Sequence, residues 1–273
     1  MKKTFKYLKC HPKYKSIKSC IDDKLILKMR HTWNKRHPDK KIHSKHIKTI
    51  ETKLKHYLSI CKDQKCLLNR TLKKKMNLFA PYSPPQWKKG KSIWLDSLDI
   101  MRVMKQYEET YPNFEFIGPS PIDFDTKVNI SECVWPELCY FSMKKKMMKN
   151  INKIGIIFNT DPHYDEGSHW VCMFIDLDKN YIFYFDSNGH APCEKINIFI
   201  DRLLSQCKEI NKSMNVYNNK NTKHQYADGE CGMYALYTII TLLEKKHNVS
   251  YFKNKKIPDK KMNDYRKIFF NEI

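Results

Sequence analysis

The sequence has no long apolar run and no apolar block after its basic N-terminus. No stretch of the 273 residues approaches the roughly 20 apolar residues that a membrane-spanning helix requires. A secretory signal would need a short apolar segment near the start, and none is present. We therefore expect a soluble, intracellular protein without a membrane span. An apolar fraction of 41% and an aromatic content of 13% indicate a folded chain with a substantial core.

Closely spaced cysteine pairs are also scarce. The ten cysteines are scattered along the chain, and without a secretory signal they favour reduced thiols over disulfides. Cys61 and Cys66 are separated by four residues, but Cys10 and Cys20 do not form a second tight pair of the kind that zinc sites use. We predict neither a metal site nor a cofactor.

Acidic residues are few in the first part of the chain. Residues 1–83 contain 24 Lys or Arg against 5 Asp or Glu, whereas the other 190 residues contain 27 against 24. Near the change in composition stands a proline cluster, Pro81-Tyr82-Ser83-Pro84-Pro85, which disfavours helix and central strand. We predict a basic helical N-terminal domain, 1–83, and a second domain, 84–273.

The basic region has helical spacing over about 21–34 and 44–77, with lysine on the outer faces. Its net charge of +19 favours binding of DNA or another polyanion, because such an imbalance costs self-repulsion. An ordinary solvated helical face is the alternative, and low-GC codon bias also enriches lysine. Positioning of a protein substrate is a further role that the sequence leaves open.

The second region mixes strands and helices. Three strands are predicted over 154–159, 170–177 and 181–186, the last two forming a hairpin. Irregular chain precedes them. Helices are predicted over about 94–107, 134–148, 193–210, 231–247 and 259–270. The fold class is therefore α+β, with a small, mainly antiparallel sheet flanked by helices.

Cys231 stands where a turn-forming run meets a long helical pattern of apolar residues. Free amide N–H groups and the positive end of the helix dipole stabilise a thiolate at such a position. A reactive thiol is one interpretation. The other is a small buried hydrophobic side chain, which is what most free cysteines are.

His169 lies between a polar loop, 161–168, and the strand that begins at Trp170. Asp186 ends the neighbouring strand, and antiparallel pairing brings the end of one strand beside the start of the other. We therefore predict contact between Asp186 and the His169 ring, a base and its orienting group. Alternatively, His169 is incidental, Asp186 begins an ordinary turn, and Gln225 is an ordinary loop amide.

These residues occur in a recognisable order. His169-Trp170, an aspartate 17 residues later and Gln225 six residues before Cys231 together resemble the SUMO-protease and adenovirus-protease clan of cysteine proteases. The resemblance implies a papain-like, Ulp1-like protease domain. Trp170 is expected beside the site, although a core role is equally consistent with the sequence.

The resemblance covers roughly residues 86–270. Trp94-Leu95-Asp96 looks like the segment that opens the catalytic domain in this clan. Within the clan, the chain is most similar to the polyprotein-processing proteases of large cytoplasmic DNA viruses such as African swine fever virus. At the position that matches Asp186, the similar viral protease has asparagine. Cellular SUMO proteases have an aspartate there, as this chain does.

The resemblance implies a role for each matching residue. Cys231 would attack the scissile carbonyl, His169 would transfer the proton, and Asp186 would orient the imidazole. The Gln225 side chain and the Cys231 backbone N–H would form the oxyanion hole. The implied activity is a cysteine endopeptidase that cleaves viral core polyproteins after Gly-Gly during virion maturation, in the host cytoplasm and the virion.

Two other functions fit the sequence. One is a deconjugating protease that removes SUMO or ubiquitin-like proteins from host targets. The other is a basic nucleic-acid-binding protein whose protease activity is secondary. The sequence does not separate deconjugation from polyprotein processing, and the intact set of Cys231, His169, Asp186 and Gln225 argues against an inactive protease domain.

Overall fold

The computed structural model describes residue 21 and residues 23–61, 64–72, 80–81, 83–88, 94–130 and 132–270. The chain divides into two compact units, Met1–Tyr82 with Phe270–Ile273, and Ser83–Phe269. Independently folding domains over 1–83 and 84–273 stay a prediction. In the described ranges, no helix combines the length and the apolar character needed to cross a membrane.

The described part of the first unit contains three α-helices, α1 (Asp23–Arg36), α2 (Ile47–Tyr57) and α3 (Gln64–Leu72). Trp33 of α1 stacks on Tyr57 of α2 with ring centroids 5.4 Å apart. The single helix predicted over 44–77 is therefore two helices, because a turn over 58–60 breaks it. The end of that prediction, 73–77, lies outside the described residues.

The cysteines differ from the prediction of reduced thiols. Cys61 is disulfide-bonded to Cys66, and Cys133 to Cys139. Cys61 and Cys66 thus use each other as partners rather than a metal. Cys10 and Cys20 lie outside the described residues. Across the described part of the chain, no group of three or more His, Cys, Asp or Glu side chains is arranged to hold a metal ion.

The second unit is built on a five-stranded sheet in the order β1-β2-β3-β4-β5. The strands are β1 (Phe114–Ser120), β2 (Lys153–Asn159), β3 (Trp170–Asp176), β4 (Tyr181–Phe185) and β5 (Asn215–Asn218). β2, β3 and β4 pair antiparallel, but β1 pairs parallel to β2 and β5 parallel to β4. The predicted α+β class is confirmed, and the sheet is mixed rather than mainly antiparallel.

The difference comes from the two edge strands, which the sequence pattern did not predict. β1 contains Pro119, a residue that only an edge strand or a bulge tolerates. β5 is short and polar, and three of its four residues are exposed. The alternation expected of a strand is therefore absent at both edges.

Helices surround this sheet. They are α4 (Ser97–Thr110), α5 (Pro136–Cys139), α6 (Met143–Met148), α7 (Glu194–Glu209), α8 (Cys231–Leu243), α9 (Val249–Asn254) and α10 (Asp259–Phe269). The helix predicted over 134–148 is wrong as a single element, because Ser142 caps a new start at α6. The short α9 was not predicted.

The two faces of the sheet bury different helices. On one face Ile156 and Met173 belong to a core that includes Phe199 and Leu203 of α7. On the other face lies α8, of which every residue is buried. Gly155 permits this close approach, since a Cβ there would lie 2.8 Å from the side chain of Ile239. Cys231 is therefore the first residue of a helix buried on the sheet.

Candidate active site

Cys231 begins α8 and is only 2% exposed. The first N–H groups of a helix have no partner within it, and the first backbone bond here runs from Tyr234 N to Glu230 O at 2.9 Å. Glu230, the N-cap residue, makes no side-chain cap and instead pairs with Arg266. Within the described chain, these N–H groups thus remain oriented toward the Cys231 end, where they stabilise negative charge.

His169 and Asp186 meet as the hairpin predicts. β3 and β4 are antiparallel with Cys172 opposite Phe185, which brings Asp186, the residue after β4, to the same end of the hairpin as His169, the residue before β3. His169 Nε2 lies 2.6 Å from Asp186 Oδ1. The Cys231 thiol is close enough to the same ring to raise its pKa. Because Nε2 faces the carboxylate, Nδ1 is the nitrogen left for the thiol.

These contacts set the charge of the pair. Burial alone lowers the pKa of His169, but the hydrogen bonds and negative charges of Asp186 and Cys231 outweigh it and raise that pKa to about 9. Burial alone raises the pKa of Asp186, yet its hydrogen bond and ion pair with His169 hold that pKa below its ordinary value. Near neutral pH the pair is therefore an imidazolium and a carboxylate.

The position of Asp186 is fixed by several neighbours. Asn219 accepts from Asp186 N at 2.9 Å and donates to Asp186 O at 2.7 Å. Asn188 N donates to Asp186 Oδ1 at 2.8 Å. On the other oxygen, His190 Nδ1 lies 3.1 Å from Asp186 Oδ2. Asp186 therefore begins the predicted turn and also contacts His169.

Gln225 is buried and held at both ends of its amide. Its Oε1 accepts from Ser187 Oγ at 2.8 Å, and its backbone N donates to Ser187 O at 2.9 Å. Its Nε2 donates to Ala227 O at 2.8 Å. An amide nitrogen carries two hydrogens, so one N–H remains for another acceptor. Gln225 is therefore hydrogen-bonded to Ser187, the residue that follows Asp186.

A buried ion pair fixes the turn before Cys231. Arg266 of α10 donates to Glu230 Oε2 at 2.8 Å and to Gly229 O at 3.2 Å. Its guanidinium lies 4.3 Å from the Trp87 ring centre. Gly229 has a φ of 87°, which glycine adopts without strain. Burial outweighs the charge of Arg266 and raises the pKa of Glu230 above its ordinary value.

Trp170 lies beside the start of α8 and is itself buried. Its Nε1 donates to Leu95 O at 3.0 Å. Gly232 is packed so closely that a Cβ there would lie 3.3 Å from Trp170 Cδ1 and 3.1 Å from Leu95 Cβ. Both interpretations of Trp170 therefore hold, as a core residue and as a neighbour of the site.

The structure thus brings Cys231, His169 and Asp186 together at the start of α8. A thiol, an imidazolium and a carboxylate in that order can perform nucleophilic acyl transfer. The catalytic roles themselves stay a prediction. Sequence reasoning did not identify Asn219 or Arg266, since nothing local marks an asparagine after an edge strand, or a helical arginine, as a partner of the site.

Comparison with known proteins identifies a family model, viral relatives and a solved structure that agree with one another. A family model described as "Ulp1 protease family, C-terminal catalytic domain" matches residues 105–273. A protein of Acanthamoeba polyphaga mimivirus that is named as a thiol protease is 37% identical over 150 residues. That match covers 55% of this chain and 48% of the relative, so the chain spans about half of that protein.

A protein of African swine fever virus that is named as a cysteine protease is 27% identical over 186 residues, which cover 64% of this chain and 67% of the relative. The crystal structure of an African swine fever virus protease matches with a TM-score of 0.65 and 21% identity, over 95% of both chains. This likeness confirms the predicted protease fold.

Proposed function

We propose that this chain, which belongs to the Ulp1 protease family, is a cysteine endopeptidase that uses Cys231 as its nucleophile. Membership confirms the resemblance noted in the sequence. The observation that carries the proposal is the meeting of Cys231, His169 and Asp186 at the start of α8. His169 Nε2 lies 2.6 Å from Asp186 Oδ1, and the Cys231 thiol is close enough to the same ring to raise its pKa.

The proposed reaction proceeds in two acyl-transfer steps. The Cys231 thiolate adds to the scissile carbonyl, and His169 gives its proton to the leaving amine, so that a thioester and a free amine are formed. A water molecule then attacks the thioester as His169 removes its proton. The thiolate leaves, and the acid product and an imidazolium remain. Asp186 keeps the ring in one orientation throughout.

The oxyanion that forms in each step needs preorganised donors. The Cys231 backbone N–H at the helix terminus is one. The second N–H of Gln225 Nε2 is the other, because the first is already given to Ala227 O. Ser187, through the Gln225 carbonyl oxygen, determines which end of the amide carries the donor.

Replacement of the nucleophile or base tests the proposal. We expect Cys231→Ala and His169→Ala each to abolish cleavage of a Gly-Gly-Xaa peptide, since each removes a reacting group. Product release is measured by mass spectrometry, and melting curves check that the variants stay folded. Cys193→Ala is the matched control, because Cys193 is a free and exposed thiol. Turnover retained in a folded Cys231→Ala protein would contradict the assignment.

We propose Gly-Gly-Xaa sites in viral core polyproteins as the substrate, cleaved during virion maturation in the host cytoplasm and the virion. Support comes from the narrow access to the reacting groups: Cys231 is 2% exposed and the His169 side chain 16% exposed. Residues without side chains before the scissile bond fit such a cleft. The African swine fever virus relative named as a cysteine protease is consistent with a viral setting.

A second candidate is removal of SUMO or a ubiquitin-like protein from a conjugate. It is favoured by the name of another African swine fever virus relative, which is called a SUMO-1 cysteine protease. Parallel incubation with a SUMO conjugate and with a core polyprotein discriminates the two. Cleavage of the conjugate alone would favour deconjugation.

We also propose an accessory role for the first part of the chain, binding of DNA or another polyanion through residues 1–83. The support is the excess of 24 basic over 5 acidic residues there. On α2, Lys48, Lys53 and Lys55 are all exposed. Nucleic-acid binding as the main function, with secondary protease activity, is less favoured, because Cys231, His169 and Asp186 lie together at one site.

A further inference from the structure

A pocket of about 480 Å³ adjoins the site through Trp170 and Asn159, which both line it. These two residues are directly opposite each other in the pairing of β2 with β3. Trp170 also packs against Gly232, the residue after Cys231. The Trp170 indole ring therefore lies between the pocket and the start of α8.

The charge of this pocket is opposite to that of the chain. The sequence has 51 basic against 29 acidic residues, yet Glu132, Asp161, Asp165 and Glu166 line the pocket together. Among the described residues that line it, none is Lys or Arg. Four carboxylates gathered in one pocket of a basic protein indicate a cationic occupant.

Two of these four carboxylates are available to a ligand. Asp165 and Glu166 are exposed, and neither has an ion-pair partner within the described chain. His163 is the one imidazole of the lining, and it is held by Asp123, whose Oδ2 lies 2.6 Å from His163 Nδ1. It therefore does not neutralise the two loop carboxylates.

Two uncharged groups in the same pocket also lack partners. Ser120 is 1% exposed and its Oγ has no hydrogen-bond partner among the described residues. Trp135 Nε1 is likewise buried and unpartnered in that part of the chain. Both residues line the pocket. Buried donors of this kind are costly unless they are satisfied, so they indicate a ligand that brings acceptors such as peptide carbonyl groups.

The loop 161–168, which carries three of the carboxylates, is hydrogen-bonded to Asn159 at the end of β2 and ends next to His169. Asp161 accepts from both Ser168 N and Ser168 Oγ, immediately before His169. Asp161 N in turn donates to Asn159 Oδ1 at 3.0 Å. Gly167 has a φ of 87°, and a Cβ there would lie 1.9 Å from Asn159 Nδ2. The acidic loop is therefore held at a fixed position relative to His169.

We propose that this pocket is a substrate subsite that binds a Lys or Arg side chain flanking the scissile bond. The inference rests on the proposed peptidase function and names its substrate class: Gly-Gly peptides with a basic residue close to the cleavage site. Asp165 and Glu166 bind the cation, while Ser120 Oγ and Trp135 Nε1 donate to the peptide backbone.

The test is a set of Gly-Gly peptides, each with a single Lys or Arg within six residues on either side of the cleavage site, and matched peptides with Gln. We expect one position at which the basic residue raises kcat/KM by about 5- to 20-fold, the range for several partly exposed ion pairs. The preference should weaken with added salt, because exposed charges are screened.

The variant Asp165→Asn/Glu166→Gln should bring the basic-to-neutral ratio of kcat/KM close to one. Glu194→Gln/Glu209→Gln on α7 is the matched control, since it removes the same charge from exposed positions outside the pocket, and the ratio should persist. The subsite is overturned if wild type cleaves basic and neutral peptides with equal kcat/KM at every position. It is also overturned if the control variant loses the preference for the basic peptide.

Binding separates this inference from the proposed function. With Cys231→Ala, the Kd of each labelled peptide is measured by fluorescence polarisation, where no turnover is needed. Tighter binding of the basic peptide that depends on Asp165 and Glu166 supports the subsite even if wild type cleaves no peptide, an outcome that would count against the peptidase alone. Equal binding of basic and neutral peptides overturns the subsite whatever the activity.

Discussion

Asp186 serves two imidazoles, with one carboxylate oxygen for each. Its Oδ1 lies 2.6 Å from His169 Nε2, and its Oδ2 lies 3.1 Å from His190 Nδ1. The two histidines differ in burial, since the side chain of His169 is 16% and that of His190 is 74% exposed. An exposed pair is weakened by solvent, so the buried partner receives most of the stabilisation.

The raised pKa of His169 gives a prediction about pH. At pH values below about 9 the ring is protonated and can protonate the leaving amine. As the pH rises through about 9 this proton is lost, so kcat/KM should fall with a midpoint near that value. Asp186→Ala removes a hydrogen bond and a negative charge that raise the pKa. The alkaline midpoint should therefore move to lower pH, with kcat/KM reduced by roughly 10²-fold.

Two variants control this measurement of pH–rate profiles. Asp186→Asn retains an acceptor for His169 Nε2 but lacks the charge, so it should shift the midpoint less than Asp186→Ala. His190→Gln removes only the exposed partner, and its effect on kcat/KM should stay below about threefold. An unchanged alkaline midpoint in Asp186→Ala would show that Asp186 does not control the ionisation of His169.

At the scale of elements, the start of α8 depends on α10. Arg266 donates to Glu230 and to Gly229 O, and both acceptors lie in the turn that delivers Cys231. The side chains of Arg266 and Glu230 are 7% and 1% exposed. A buried ion pair is expensive to break because the remaining charge loses its partner. Arg266, 35 positions after Cys231 in the sequence, therefore holds this turn in place.

Arg266→Ala should lower the free energy of unfolding by roughly 3–5 kcal/mol, the cost of leaving one buried charge unpaired. It should also lower kcat, because the turn that positions the Cys231 N–H loses its support. Denaturant unfolding and peptide hydrolysis measure the two effects. The double variant Glu230→Met/Arg266→Met is the control, and it should regain much of the stability because no charge stays buried. A stable, fully active Arg266→Ala protein would show that Arg266 does not stabilise the turn before Cys231.

At the scale of the whole molecule, charge is unevenly divided. Residues 1–83 carry 24 basic and 5 acidic residues, and the remainder of the chain is close to neutral. The pocket beside Trp170 is acidic, as the lining by Asp165 and Glu166 shows. The proposed polyanion and the proposed basic peptide residue therefore have separate sites of opposite sign.

If residues 1–83 bind DNA by neutralising phosphates, the logarithm of the affinity should fall linearly with the logarithm of the salt concentration. The full chain is titrated with labelled duplex at several salt concentrations. Lys48→Gln/Lys53→Gln/Lys55→Gln should reduce the slope by up to about three. The matched control is Lys179→Gln/Lys220→Gln/Lys267→Gln, which changes three exposed lysines of the other unit and should leave the slope nearly unchanged. A slope near zero in wild type would exclude phosphate neutralisation.

The sequence by itself determined the local features of this protein. The apolar period after Cys231 predicted the helix that begins there, because one buried face leaves a 3.6-residue repeat. The hairpin around Asp178-Lys179-Asn180 predicted that His169 and Asp186 meet, because antiparallel register is fixed by the strands themselves. Order and spacing of these residues were sufficient to indicate the family.

Only the tertiary structure decided the features that depend on long-range contact. The parallel edge strands β1 and β5 carry no alternation, so their pairing appears only when the sheet is assembled. Asn219, Ser187 and Arg266 support the site through hydrogen bonds to partners 33 to 38 residues away. The acidic pocket likewise combines side chains from three separate stretches of chain. Proximity of this kind leaves no mark in local periodicity, because burial against a distant partner does not repeat along the sequence.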